Sequence, residues 1–566
     1  MAKSKKVNQP AKQAIVADVI TPPLNKKFNF TLEETICTGL LLCLIIIIYV
    51  IRSKFLLIPF ERDEGIYCYM GELLLEGKVP YKDFYEMKFP GIFYLYACII
   101  NFFGETVKEV HTGFMWMNIL SILFVYFASK KMFSPIAGII SATTMAFVSL
   151  TPGLSGFTVQ SEHGVALFIS LGLLLYAHAR SKKHFLFYLF TGMSMAMAVM
   201  IKTTAVFMAI WGGVIIVLEF LFDKEKKYKE FFKSIFAYSL GGIAIVCIFF
   251  LIIKMKGGFD EMLYWTFEYS KQYSQLMTFD EGIKYFGYTR DAILQNHKLF
   301  WYHSILAVGV CLFRPIPYQL KAYGITLLAC SFLTIVPGYF FYGHYWIQTV
   351  PGLAVVAGLT YYCVITIFEN KLTLGKLSII KYIYLSIFII LVFNHIKTLK
   401  SYYFHPNYEL ILRQVYGTNP FPEAMKIGDY INANSKPEDN IVLIGSEPQI
   451  YFYTKKKSPS RHAYFTALVT NVPMHKDWQR EFVRDTEKAK PKYIVFFNHP
   501  ISLMVQPNTD QYVFDWANKY ITANYQLVGV VDMVNGPRSI YKWNQEAVSY
   551  KPVSQTVIYV FEKRKI

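Results

Sequence analysis

Nothing in the 566 residues reads as a nucleotide site: a P-loop, a glycine-rich dinucleotide fingerprint and an Asp-x-Asp pair are all missing. A cytoplasmic nucleotide-sugar donor is therefore disfavoured. Cysteine is sparse, and its eight copies are scattered and stop at Cys363, so neither a disulfide framework nor a zinc-ligand spacing is present. Acidic residues are outnumbered 39 to 57 by Lys and Arg, yet no nucleic-acid-binding motif accompanies the +18 formal charge. In so apolar a chain that excess reports topology. No internal repeat or low-complexity linker is visible, which gives no support to the inverted-repeat architecture of many transporters.

What the sequence does have is apolar length. With 54% hydrophobic and only 17% charged residues, it reads as a polytopic α-helical membrane protein. Eleven runs are candidate spans: Ile36 to about Leu57, then 111–129, 134–150, 163–179, 185–201, 203–222, 234–254, 299–313, 322–338, 349–368 and 380–398. Residues 1–35 are polar, carry six lysines and lack an early apolar core, so they are expected to be a cytoplasmic tail before an uncleaved first helix. Arg52 and Lys54, near the outer end of that helix, are expected to snorkel. A twelfth apolar stretch, 91–103, is only 13 residues long. Omitting it places Lys130-Lys131, Arg180/Lys182/Lys183, Asp223–Lys233, Arg314–Lys321 and Lys371–Lys381 all on the cytoplasmic face, as the positive-inside rule requires. The 91–103 stretch is then an interfacial helix.

This parity puts 58–110, 151–162, the turn at Lys202, 255–298, 339–348 and everything after about 399 outside. The domains expected are thus a tail (1–35), a transmembrane domain (36–398, first outer loop 58–110) and an extracytoplasmic domain (399–566). In the last, short strands at 440–445, 492–497, 525–534, 539–543 and 557–561 alternate at first with helical stretches at 423–434, 473–489 and 510–522, the pattern of a small α/β domain.

The outer loop is the unusual stretch. Between Glu61 and Lys88 lie seven acidic residues among tyrosines and prolines. Charge at that density beside a bilayer is costly unless water, a cation or a charged substrate uses it. Asp63-Glu64, Gly77-Lys78-Val79-Pro80-Tyr81, Glu86, Lys88 and Phe89-Pro90-Gly91 follow one another here. Lys202 sits in Met200-Ile201-Lys202-Thr203-Thr204, with no Gly-Pro after it, and a further outer turn reads Gly343-His344-Tyr345-Trp346-Ile347-Gln348-Thr349-Val350-Pro351. Taken together these motifs resemble the GT-C class of membrane glycosyltransferases, which includes the protein O-mannosyltransferases and the aminoarabinose transferase of lipid A. The resemblance covers about residues 36–400.

It implies transfer of a sugar from a polyprenyl-phosphate-linked donor to a lipid, glycan or protein acceptor at the outer face of the plasma (inner) membrane, with inversion. Asp63 and Glu64 are then the catalytic candidates, with Asp63 as base. Lys88 and Lys202 would hold the donor phosphate. Tyr81, Asp83, Glu86, Glu162, His344, Tyr345 and Gln348 would contact acceptor, sugar or lipid. Asp63 and Glu86 are the carboxylates that could hold a divalent cation, if one is used.

Each residue also has a plainer reading. Asp63 could simply cap a Glu64–Leu75 helix closed by Gly77, and Glu162 could favour a helix dipole. Asp83 and Glu86 could be solvated loop carboxylates, and the 343–351 aromatics an interfacial belt. Neither lysine has an acidic partner four residues on, where Ile92 and Val206 stand, so a single bound anion is expected to serve both. Two rivals remain: a transporter or flippase for lipid-linked glycan, which would want charges near mid-helix, and a non-catalytic envelope assembly protein.

Overall fold

The computed structural model describes residues 31–369, 372, 374–534 and 538–564. The expected tail therefore lies almost wholly outside the described residues, as do three residues of the 369–374 connection. Each of the eleven apolar runs lies on a helix: Leu32–Ser53, Val107–Met132, Pro135–Val148, Ser161–Lys182, Phe185–Ile201, Val206–Phe222, Tyr228–Lys256, Phe279–Cys311, Tyr318–Leu333, Val350–Glu369 and Leu374–Thr398. Among the described residues, seven helical segments are long and apolar enough to cross a membrane by length and composition. Helices pack closely where side chains are smallest. A Cβ on Gly192 or Gly241 would run into the backbone of the facing helix, the small-residue contact by which helices associate where lipid removes any hydrophobic drive.

Gly91–Phe103 forms one short apolar helix, too short to span a hydrocarbon core. Its Ile92, Phe93, Tyr96 and Ile100 are buried while Phe102 is 78% exposed. Arg52 departs from the sequence reading. It does not snorkel but is buried, donating to the carbonyls of Ser149 (3.2 Å) and Gly156 (3.1 Å). Ser149 ends the Pro135–Val148 helix, so the guanidinium meets a carbonyl left without an intrahelical partner.

The C-terminal region is a five-stranded sheet of order β1-β2-β5-β3-β4, from Ile441–Ile444, Tyr493–Asn498, Tyr525–Asp532, Ile540–Trp543 and Val557–Lys563. Only β1 and β2 are parallel, joined through the His475–Ala489 helix as a crossover needs. β5 enters antiparallel between β2 and β3. The sheet shares its core with the outer loop: Ile66, Tyr67 and Met70, then Ile92 and Phe93, form one buried cluster with Ile441, Val495 and Ile558. Gly65 sets the closeness of this union, because a Cβ there would fall within the backbone of Gln449.

Gly65→Val should therefore loosen the joint between loop and sheet. Overpacking of this kind costs about 1–3 kcal/mol, so the variant is expected to melt earlier in detergent and to be cut faster by protease in the C-terminal region. Unchanged melting and proteolysis would mean that the two parts do not rely on this contact.

Candidate active site

The helix that begins the loop runs from Arg62 to Leu75, and its cap is Glu61. This corrects the reading of Asp63 as a cap. Glu61 accepts from the Glu64 amide (2.9 Å) and Glu64 accepts from the Glu61 amide (2.7 Å), a reciprocal capping box. The same two carboxylates also reach across the chain, Glu64 accepting from the Val159 amide and Glu61 from Gln160 Nε2 (2.6 Å). Burial pushes Glu64 up to about 8 against its backbone hydrogen bonds, and raises Glu61 as well. Glu64 is 1% exposed and lies off the cavity wall, so its geometry serves the fold.

Asp63 is thereby left for the cavity. The space it borders has a volume of about 1020 Å³. The Tyr67 and Tyr464 hydroxyls each lie 3.4 Å from an Asp63 oxygen, at the long end for such bonds. Among the described residues it has no ion pair. Arg62, which the sequence reading passed over, turns the other way. It pairs with Glu447 at 3.2 Å and donates to Asn419 Oδ1 at 2.6 Å, tying the loop to the sheet region.

Lys88 lines the cavity beside Glu86, at 3.7 Å, and meets the hydroxyl and ring of Tyr67. Burial works against its ammonium, yet Glu86 and then Asp63 outweigh that and hold it above the ordinary lysine range. Burial in turn raises the Glu86 carboxyl, with Lys88 opposing. Tyr81 is off the wall. It is buried at a left-handed turn (φ 68°) and donates to the Lys88 carbonyl at 2.6 Å, fixing the backbone that presents the lysine. Asp83 accepts from the Val79 amide (2.8 Å) within its own exposed turn, away from the cavity.

Lys202 corrects a second expectation, since it has an acidic partner 40 residues away. Its ammonium is paired with Glu162 and stands 3.2 Å from the centre of the Tyr345 ring. Burial pushes it down to about 8 in spite of Glu162. Glu162, Tyr345 and His344 line the cavity while Lys202 sits behind them, and His344 Nε2 is 3.9 Å from Glu162. Gln348 is also behind, donating to the Thr334 carbonyl and accepting from Thr204, both at 3.1 Å. Lys88 and Lys202 thus approach one region, but each already has a carboxylate, so a bound anion is not needed as counter-charge. Among the described residues no group of three His, Cys, Asp or Glu side chains is placed to hold a metal ion.

The lining mixes an unpaired carboxylate, a lysine and many tyrosines at one end of a helical bundle, and known proteins share that frame. Residues 87–253 match the sequence model of the dolichyl-phosphate-mannose-protein mannosyltransferase family, a stretch that holds Lys88, Glu162 and Lys202. The crystal structure of ArnT from Cupriavidus metallidurans in the apo state superposes with a TM-score of 0.53 at 12% identity, covering 92% of this chain and 98% of that one. ArnT from the same organism bound to undecaprenyl phosphate gives 0.54 at 11% identity, over 92% and 97%. The archaeal oligosaccharyltransferase AglB from Archaeoglobus fulgidus gives 0.44 at 13% identity, over 89% and 74%. No curated protein sequence matches the chain. The chain has the GT-C fold, and the resemblance to that class of membrane glycosyltransferases expected from its loop motifs holds.

The Glu162–Lys202 pair is buried, its side chains 1% and 5% exposed. Removing one partner of such a pair leaves the other charge stranded, at a cost of about 3–5 kcal/mol, whereas removing both is far milder. Glu162→Gln should therefore lower unfolding stability strongly, and Glu162→Gln with Lys202→Met should recover part of the loss. Simple additivity in a double-mutant cycle would show that the two groups do not interact.

Proposed function

We propose that this protein transfers a sugar from a polyprenyl-phosphate-linked donor to a lipid, glycan or protein hydroxyl at the outer membrane face, with inversion. The observation that carries this reading is Asp63, a cavity carboxylate without an ion pair beside the Lys88–Glu86 pair. Asp63 takes the proton of the acceptor hydroxyl as its oxygen bonds to the anomeric carbon. The bond from that carbon to the phosphate oxygen breaks on the opposite face, and polyprenyl phosphate leaves with its electron pair. Lys88 stabilises the charge that grows on the departing phosphate. Lys202 contributes directly only by exchanging Glu162 for the phosphate; otherwise it holds Glu162, His344 and Tyr345 in place. The undecaprenyl phosphate bound in the ArnT structure supports this donor class. The flippase alternative is weaker because Asp63, Glu86 and Lys88 lie between the Leu32–Ser53 and Val107–Met132 helices and not within either.

Asp63→Asn tests the base. With the helix capped by Glu61, the change should leave melting nearly unaltered while cutting sugar transfer by roughly 10²–10⁴-fold. A well-folded Asp63→Asn protein that transfers near the wild-type rate would remove Asp63 from the reaction.

The sidedness in this proposal places 36–398 in the membrane and 399–566 outside the cytoplasm. Single cysteines within 255–298 and the C-terminal region should be labelled in intact cells, and those within 223–233 only after permeabilisation. The opposite pattern would put the cavity on the cytoplasmic face.

A further inference from the structure

The cavity is not confined to the surroundings of Asp63. It continues past Gly153, which touches the backbone of Ala292, toward His297 and Gln414. This far part of the wall is set by the Phe279–Cys311 helix, the turn at Pro152–Leu154 and the Tyr408–Tyr416 helix. Thr151, Ser155, Gln295, His297, Tyr402 and Gln414 supply hydroxyl, amide, phenol and imidazole groups there. Asp, Glu, Lys and Arg are missing from this stretch of lining. The charged residues of the lining are Glu61, Arg62, Asp63, Glu86, Lys88 and Glu162, and the cations are committed: Lys88 to Glu86, Arg62 to Glu447, and Lys202, behind the wall, to Glu162. Once a donor phosphate has engaged Lys88, no free cation remains among the described lining residues to receive a second anion, Arg52 lying behind the wall on the Ser149 and Gly156 carbonyls, and Asp63 repels one.

His297 adds a positive signal. It stands where the Phe279–Cys311 helix departs from helical geometry (φ −127°, ψ 15°) and is 1% exposed. Neither of its ring nitrogens has a hydrogen-bond partner among the described residues. Buried polar atoms are seldom left so, because each loses its hydration without compensation. A neutral imidazole offers one donor and one acceptor, which suits the hydroxyls of a sugar ring.

We propose that the acceptor is an uncharged glycan, seated in this far part of the cavity with its hydroxyls taken by His297 and the neighbouring amides. It rests on the reading of the site as a sugar transferase and narrows the acceptor to one chemical class. A lipid phosphate or an acidic polymer would meet Asp63 with no cation to offset it.

The test uses the full chain in nanodiscs with a radiolabelled polyprenyl-phosphate-sugar extract from the producing cells. Neutral oligosaccharides, the same oligosaccharides carrying a terminal phosphate, a Ser/Thr peptide and lipid A are offered separately. Label should pass to the neutral glycan at least tenfold faster than to the phosphorylated one. His297→Phe should raise the KM for the glycan about tenfold, with kcat and undecaprenyl phosphate binding unchanged, and His297→Asn should restore part of the affinity. Gln414→Leu, a surface change that does not threaten folding, should move KM in the same direction. Equal or faster transfer to the phosphorylated glycan, lipid A or peptide overturns the proposal. So does failure to label the neutral glycan while undecaprenyl phosphate still binds. Loss of undecaprenyl phosphate binding in the wild-type protein would instead overturn the donor reading beneath it.

Discussion

The reciprocal hydrogen bonding of Glu61 and Glu64 is the contact from which the site is built. A helix start leaves amide groups without partners, and here two glutamates satisfy them while also gripping Val159 and Gln160. That fixes four consecutive side chains in three directions. Glu61 and Glu64 face the 159–160 segment, Arg62 faces Glu447, and Asp63 faces the cavity. Were Asp63 itself the cap, its oxygens would be occupied by backbone amides and unavailable to a substrate.

A second constraint is aromatic. Tyr85, on the loop, lies flat against Trp265 at 3.7 Å and 3°, and Trp265 in turn stacks on Trp478 of the sheet region at 4.8 Å. Tyr85 also shares a 2.7 Å hydrogen bond with His462. Three distant parts of the chain thus meet in one stack beside Glu86 and Lys88. Offset stacking of this kind is worth about 0.5–1.5 kcal/mol per pair beyond burial, and here it holds the loop at its distal end while the capping box holds it at the start.

Much of this was legible in the residues. The apolar runs mark the eleven bundle helices, because length acts locally and each run must bury or face lipid. The five strands were legible for the same reason, as short β-rich segments between turns. The sequence singles out Asp63, Glu86, Lys88, Glu162, His344 and Tyr345, and the fold brings all six to one cavity. What local spacing could not disclose were pairings across long separations. Lys202 looked unpartnered because Glu162 lies 40 residues back, and Arg62 drew no notice because Glu447 is 385 residues on. The sequence reads Arg52 as snorkelling because the carbonyls it serves lie 97 and 104 residues on. The cap was misplaced by two residues because Asp is the commoner cap and Glu61 the less expected one.

The position of β5 has a consequence for biosynthesis. Val557–Lys563 is the latest strand of the described chain, yet it lies in the middle of the sheet, between β2 and β3. A ribosome has therefore made every bundle helix and four of the five strands before the sheet can close. Tyr464, which reaches Asp63, belongs to that late-arriving half. During synthesis the half-made chain therefore holds Asp63 before Tyr464 and the closed sheet stand against it.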